Sequence, residues 1–588
     1  MSANSKNKTI MKTTTSLIFA AAVCVMAPPA SRAQVTLTKV TNGPVVSAQG
    51  HFTGFTWADF TGSGFLDLFV CDYGGTNVLY HNNGDGTFTS VTQGNPVQDS
   101  AYHVESSVAD YDNDGALDLL VASGVDAPSA GHVVLYHNNG NGSFSAISAG
   151  GVANIPGFFE NCASADYDND GFVDMLITDD GDSNSDGGHN LLFHNNRDGT
   201  FSRVMSNALV SSVLDATGAC WVDYDNDGFI DLFITCQPPS AGVSHNFLYH
   251  NNGDGTFTPI LTNAVAKDGW PNGSWGSAWG DYDNDGLQDL FVTGLQMGNR
   301  LYHNNGNGSF SNITSGPMLS APPGGGARSC AWGDYDNDGY LDLYVCTHDA
   351  TNQLFHNNGD GTFTQILSGD PVNDGGPGIE NEVCGWVDYD NDGFLDLFVN
   401  HPNIGGAPTS PLLYHNNRNS NAWLEVKLVG TVANRAAIGA KVRVHAAIGG
   451  KTFWQMREIS GGSGRMSQPL VAHFGLGNAT NVDTLRIEWP SGVVQTLTNV
   501  APRQILTVVE HQPGVAAAPE FSSVLRSTNG AVNLSVTGAA NRLYLLEAST
   551  NLVNWLKVGV TTNTTGVVGF TDSRAANYDR RFYRVSIP

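Results

Sequence analysis

The sequence predicts an all-β chain, a seven-bladed β-propeller followed by two smaller β domains. Three observations carry this expectation. The phrase Asp-Tyr-Asp-Asn-Asp-Gly-x-x-Asp starts at Asp110, Asp166, Asp223, Asp281, Asp334 and Asp388, with a degenerate copy at Asp59, at spacings of 51 to 58 residues. A second phrase follows each copy: Tyr/Phe-His-Asn-Asn, usually with Gly-Asp-Gly-Thr-Phe, its histidines at His81, His137, His194, His250, His303, His356 and His415. The 588 residues include 69 glycines and only 14% charged side chains, which argues against coiled coils and for short strands joined by tight turns.

Each unit reads as four strands. Strand A is a short run of small and aromatic residues such as Ser277-Ala278-Trp279-Gly280, and strand B follows the acidic phrase, as in Leu290-Phe291-Val292. Strand C runs into His-Asn-Asn, as in Leu248-Tyr249-His250, and the Gly-Asp-Gly turn supplies the positive φ of a hairpin leading to strand D. Repeated strand quartets of this length are the sequence form of a propeller, whereas a linear solenoid would need capping repeats. The seventh unit ends at Leu413-Tyr414-His415-Asn416-Asn417 without a strand D. The segment Val35-Thr36-Leu37-Thr38-Lys39-Val40-Thr41 resembles Thr87-Phe88-Thr89-Ser90-Val91-Thr92, the strand D of the first unit. It is therefore expected to complete the last unit and cover its open edge.

Residues 1–33 read as a signal peptide: Lys6, Lys8 and Lys12 precede an apolar run from Leu17 to Met26, and Ser31-Arg32-Ala33 offers a cleavage site. No later stretch approaches the ~18–20 apolar residues of a membrane span, so the expectation is an exported, secreted or cell-surface protein, and a monomer. Seven cysteines follow the leader. Cys330 and Cys346, like Cys220 and Cys236, flank one loop and could face each other across a strand pair, but the favoured reading is small buried apolar residues. Their spacing does not suit zinc. With 27 basic and 55 acidic residues the formal charge is −28, which argues against nucleic acid as a partner and for bound cations.

The acidic phrase places carboxylates at its first, third, fifth and ninth positions. These are Asp110, Asp112, Asp114 and Asp118; Asp166, Asp168, Asp170 and Asp174; Asp223, Asp225, Asp227 and Asp231; Asp281, Asp283, Asp285 and Asp289; Asp334, Asp336, Asp338 and Asp342; and Asp388, Asp390, Asp392 and Asp396. The first loop has only Asp59 and Asp67, with Thr61 and Ser63 between. An all-oxygen cage of high charge suits Ca²⁺, and six or seven ions are expected. It is not an EF-hand, because position twelve is an apolar strand residue such as Val121 or Ile177. Turn capping would explain one Asp-Gly, but four carboxylates in nine residues repel one another without a cation. The His-Asn-Asn phrase reads as structural, its Asn side chains holding the turn. Trp57, Trp221, Trp279, Trp332 and Trp386 read as packing between blades, with a sugar-lined channel as the alternative.

On these loops the chain resembles the FG-GAP/VCBS repeats of integrin α-subunit propellers and of many exported bacterial proteins, over about residues 34–420. The resemblance implies a calcium-bound seven-bladed propeller with ligands at the four carboxylate positions named above. Residues 421–512 resemble the ASPIC/UnbV domain found after such propellers in cartilage acidic protein-like chains, through Asn421-Ala422-Trp423-Leu424, Asn434-Arg435-Ala436-Ala437-Ile438-Gly439-Ala440, His473-Phe474-Gly475-Leu476-Gly477 and Trp489-Pro490-Ser491-Gly492. It implies architecture rather than chemistry. Residues 513–588 comprise a Pro/Ala-rich linker and a fibronectin-like β-sandwich, a display or adhesion module.

The expected function is a secreted calcium-binding adhesion or binding module for an extracellular glycan or protein ligand. No nucleophile–base pair, phosphate loop or zinc motif is present. Binding residues are expected on the variable D–A and B–C loops, on the face opposite the acidic loops. They include His103, Glu105, Glu160, Trp270, Trp275, Arg328, Glu380, Glu382 and the insertion Asp179–His189. The rival reading is a polysaccharide lyase or hydrolase using a Glu pair such as Glu160 and Glu382 at the channel mouth.

Overall fold

The computed structural model describes residues 36–586 apart from 125–132, 148–150, 153–154, 156, 180–188, 213, 238–244, 269–272, 296–297, 323, 405, 463, 465–467, 512–519, 528–529, 539–541, 551–553, 564–566 and 579. The proposed leader, Trp270 and most of the Asp179–His189 insertion lie outside the described residues.

Each repeat folds as an antiparallel sheet of four strands in chain order. The fifth is representative: A is Ser274–Gly280, B is Asp289–Gly294, C is Arg300–Asn304 and D is Phe310–Ile313. The A strands of the other units are Phe52–Ala58, Ser100–Ala109, Phe159–Ala165, Ala216–Val222, Gly326–Gly333 and Val383–Val387. Each packs against the A strand of the next unit, and that of the last returns to that of the first. Strand B is buried on both faces, as Leu290, Phe291 and Val292 illustrate, which is why it reads as a continuous apolar run. The first two sheets are joined where strand B of the first unit, Asp67–Thr76, runs on to pair through Tyr73 with Tyr102.

The expected closure is present. Leu37–Lys39 pairs antiparallel with strand C of the last unit, Leu412–Asn416, in the register Leu37↔Asn416 and Lys39↔Tyr414. Asn417 fastens it further through hydrogen bonds to Thr36 and Thr38.

Two series of side-chain amides run round the ring. The first Asn of each His-Asn-Asn phrase is buried, and its Nδ2 donates to the carbonyl at loop position two of the preceding unit: Asn138 to Phe60, Asn195 to Tyr111, Asn251 to Tyr167, Asn304 to Tyr224, Asn357 to Tyr282, Asn416 to Tyr335 and, across the closure, Asn82 to Tyr389, all at 2.7–2.8 Å. The Asn at loop position four takes a left-handed backbone (φ 55–62°). In five loops it donates to the position-six Gly carbonyl of the next unit, ending with Asn391 to Gly64. The tryptophans pack between units: Trp332 stacks on Tyr282 and Trp386 on Tyr335, and their indole N–H groups donate to Ala278 and Ala331 of the preceding unit.

Residues 422–509 form two sheets. One orders Val471–Gly477, Ala422–Val429 and Ile505–Val509; the other orders Lys451–Glu458, Lys441–Ile448, Val482–Glu488 and Val494–Val500. The C-terminal segment forms two three-stranded sheets around Leu534, Val536, Tyr544, Leu546 and Phe570. The seven described cysteines are all free and buried, and Cys330 faces Val345 rather than Cys346.

Asn304 also bonds the carbonyl of Gln288 in its own unit. Asn304→Ala should therefore strand two buried carbonyls and cost about 2–5 kcal/mol. Asn305→Ala, at an exposed turn position, should cost less than about 0.5 kcal/mol. Chemical denaturation of the two variants measures the difference.

Candidate metal centres

The loops share one hydrogen-bonding plan. The position-one carboxylate accepts the N–H groups of positions five and six, as Asp110 does from Asp114 and Gly115 at 3.0 and 2.8 Å. Gly at position six has φ between 83° and 99° in the six full loops, a conformation that excludes side chains at little cost only for glycine. Position five accepts the N–H of position seven, as in Asp170 to Phe172. Position nine opens strand B. In Asp118, Oδ2 accepts Tyr111 N–H and Oδ1 accepts Asn138 N–H from strand C.

Strand C also delivers the histidine, which the sequence reading left outside the site. His137 Nδ1 lies 3.3 Å from Asp112 Oδ2 and 3.1 Å from Asp118 Oδ1. The pattern repeats at His194, His250 and His303, with both distances between 3.1 and 3.3 Å, and more loosely at His356 and His415. Groups such as Asp168, Asp174 and His194 thus bring metal-ligating atoms within 4.8 Å of one another.

These loops fit a cation because they leave buried oxygens without a donor. Asp168 Oδ1, Asp225 Oδ1 and Asp390 Oδ1, the same atom of position three in three units, have no hydrogen-bond partner, nor does Oδ2 of the fully buried Asp289. Burial, reinforced by the charges of Asp174 and Asp170, pushes Asp166 up to about 8. Burial likewise pushes Asp174, Asp231, Asp289 and Asp396 up to about 7 against the opposing bond from each histidine. Bonds to Asp231 and Asp289 push His250 and His303 up to about 9. Such carboxylates are costly to ionise alone, and a divalent ion would favour their charged form.

The degenerate first loop differs. Asp59 accepts Ser63 and Gly64 N–H, and Asp67 accepts Phe60 N–H, Thr61 Oγ, Asn82 N–H and a contact from His81. Hydroxyls stand where the other loops have charges, and the same turn satisfies itself.

Residues 421–512 sit on this loop face and touch every loop. Lys427 Nζ donates to Gly64, Arg435 N–H to Asn113, Asn434 Nδ2 reaches Asp166, Arg443 donates to Gly286, Gly477 N–H to Asn337, and His473 Nε2 lies 3.2 Å from Gly393 O. At the fourth loop the buried Lys441 Nζ stands 2.6 Å from Asp223 Oδ2. The segment after Glu458 enters among the A strands. Gly461 O accepts Ser107 Oγ and Ser164 N–H, and Gly464 N–H donates to Ala219 O. A Cβ at Gly461 or Gly464 would collide with the backbone of Ser164 or Ser277, so this insertion requires glycine. Beside it lies a cavity of about 110 Å³ lined by Trp279, Trp332, Trp386, Glu425, Arg457 and His473.

On the opposite face, Arg328 lies over the Trp275 ring at 4.3 Å and 3.7 Å from Glu382, while His348 pairs with Glu380 at 3.1 Å and His103 with Asp99 at 3.4 Å. Glu105 is buried. Glu160 sits at a bulge in the A strand of the third unit and Glu382 precedes that of the seventh, so the two belong to units that are not neighbours.

The family model of the FG-GAP-like repeat matches residues 59–121, 110–177, 166–234, 240–292, 281–345 and 334–399, and that of ASPIC and UnbV matches 430–515. Cartilage acidic protein 1 of Homo sapiens is 32% identical over 277 residues, 45% of this chain and 40% of the relative; that of Xenopus tropicalis is 30% identical over 298 residues, 48% and 43%. The matched region thus spans less than half the length of these relatives. Among solved structures, BBS1N in complex with ARL6DN aligns with TM-score 0.39 at 12% identity, covering 64% of this chain and 96% of that one. A six-bladed lectin of Aleuria aurantia aligns with TM-score 0.32 at 10% identity, covering 54% and 96%.

In excess EGTA, Lys441→Met should leave the Asp223 carboxylate buried without its ammonium and cost about 3–5 kcal/mol. The double variant with Asp223→Asn should recover most of that loss, which thermal melting of the three proteins would measure.

Proposed function

The chain belongs to the FG-GAP-like repeat family, and from that premise we propose that it is an exported, calcium-stabilised binding protein. Residues 34–420 form a closed seven-bladed propeller behind a leader at 1–33. Residues 421–512 are an ASPIC/UnbV domain seated on its loop face, and 513–588 are a linker and a small β-sandwich. Calcium is held by the carboxylates at positions one, three, five and nine of the six full loops. The observation that carries this reading is the set of buried carboxylate oxygens without a donor, at Asp168, Asp225, Asp289 and Asp390. The first loop, already satisfied by its own hydroxyl and N–H groups, takes no ion, so six ions are expected.

The ligand, a glycan or protein, meets the face opposite the calcium loops. Residues 421–512 cover the loop face and reach in among the A strands, which supports a site among Trp275, Arg328, Glu380 and Glu382. Trp275 and Arg328, at the starts of two A strands, and Glu380 and Glu382, just before a third, offer an aromatic surface with charge on a rigid ring.

At ~1 mM calcium and a Kd of ~10⁻⁴ M, each site would add about 1.4 kcal/mol, and six would add roughly 8 kcal/mol, comparable with a whole domain's net stability. Excess EGTA should therefore lower Tm markedly and Mg²⁺ should recover it poorly. Asp283→Ala should shift Tm only slightly, because five full loops remain. An unchanged melt after metal analysis confirms removal would overturn the calcium reading. A glycan and protein array probed in calcium tests the ligand face. Glu382→Gln should weaken any ligand found there without moving Tm, and unfolding of that variant would overturn the assignment.

A further inference from the structure

We propose that the histidine of each His-Asn-Asn phrase is a positioning residue for the ion of its loop, holding one oxygen of position three and one of position nine on the strand-C side so that their other oxygens face inward. This rests on the calcium reading above. Nδ1 always meets the same two atoms, Oδ2 of position three and Oδ1 of position nine: Asp168 and Asp174 for His194, Asp225 and Asp231 for His250, Asp283 and Asp289 for His303. Of the oxygens left over, Oδ1 of Asp168 and Asp225 and Oδ2 of the fully buried Asp289 have no donor, while Oδ2 of Asp174 and Asp231 accept the N–H of Tyr167 and Tyr224 and Oδ1 of Asp283 accepts that of Asp285. A carboxylate has two oxygens, and the imidazole engages one from each residue.

The adjacent Asn fixes the imidazole's height along strand C. Its N–H bonds the same Oδ1 of position nine, at 2.8 Å from Asn195 and from Asn304. At Asp118, Asp289 and Asp342 position nine thus accepts from two consecutive residues, His and Asn, of a strand that is itself anchored to the preceding unit. The first unit serves as an internal comparison: His81 bonds Asp67 at 2.9 Å, but position three is Thr61, and this loop leaves neither of its carboxylates without donors. An imidazole aimed at carboxylates from outside a metal shell orients the ligands, and loss of such a partner typically weakens metal binding 10–100-fold.

Calcium titration calorimetry of the full chain tests this. His303→Ala should leave five ions bound as in the wild type and weaken the sixth by about 10–100-fold. His303→Gln, whose amide can donate to the same oxygens, should recover most of the affinity. His81→Ala should leave both ion count and affinity unchanged. Six sites of unaltered affinity in His303→Ala would overturn the proposal. A loss spread over all six sites, or the same loss in His81→Ala, would mark general loosening of the ring and overturn it equally. A wild-type chain that takes up no calcium would instead overturn the calcium reading, and this proposal with it.

Discussion

A single side-chain amide, repeated in every unit, ties the ring together. The apolar and aromatic contacts between neighbouring sheets are weakly directional. The first Asn of His-Asn-Asn adds direction. Asn304 donates to Gln288 in its own unit and Tyr224 in the preceding one, its N–H holds Asp289, and its Oδ1 receives Gly306 N–H. One buried residue thus fixes the hairpin turn, the acidic loop and the neighbouring unit together. The position-four Asn adds a bond in the opposite sense round the ring. With the spacing of the units fixed, the loops become a circle of similar groups at regular intervals.

That circle has two sides with different duties. Position-one carboxylates and position-six carbonyls face residues 421–512, where Asp223 meets Lys441 and Gly286 meets Arg443. Positions three and nine face the histidines of strand C. Charge gathered in the loops therefore meets a docked segment on one side and the strand-C imidazoles on the other. Burial is deepest at the sixth loop, where Asp334 and Asp342 are almost inaccessible and Asp336 and Asp338 are 9% exposed. Buried charges of one sign need compensation nearby, and at the fourth loop Lys441 supplies it to Asp223.

Much of this architecture was legible in the sequence because the repeat is local. Strand order within a unit follows from two phrases and a hairpin turn, and Leu37–Lys39 announced itself by likeness to the strand D that the last unit lacks. Asn138 and Asn113 were harder to read. Their partners, Phe60 and Gly171, lie 78 and 58 residues away in other units, so each Asn looks like a turn former in isolation. The histidines looked structural for a similar reason, since His137 and Asp118 meet only across strands B and C. Docking was invisible from the chain. Lys441 and Arg443 alternate with Val442 and Val444 as in any half-buried strand, and nothing in Ser460-Gly461-Gly462 says that a glycine-rich turn will enter among the A strands. The cysteine pairs flanking one loop proved to be offset by the register, with Cys330 opposite Val345.

The pairing of Leu37 with Asn416 sets an order of events. Partners 379 positions apart cannot meet until the chain has been made almost to the end of the ring, so the first strand waits unpaired while the intervening sheets fold. Pairing over such distances is slow relative to the local hairpins. During the wait, strand C of the last unit presents an open edge, and the same three residues of another copy would fit it in the same register. Exchange of this strand between newly made chains is the characteristic error to which such a closure exposes the protein, and crowding of nascent copies would favour it.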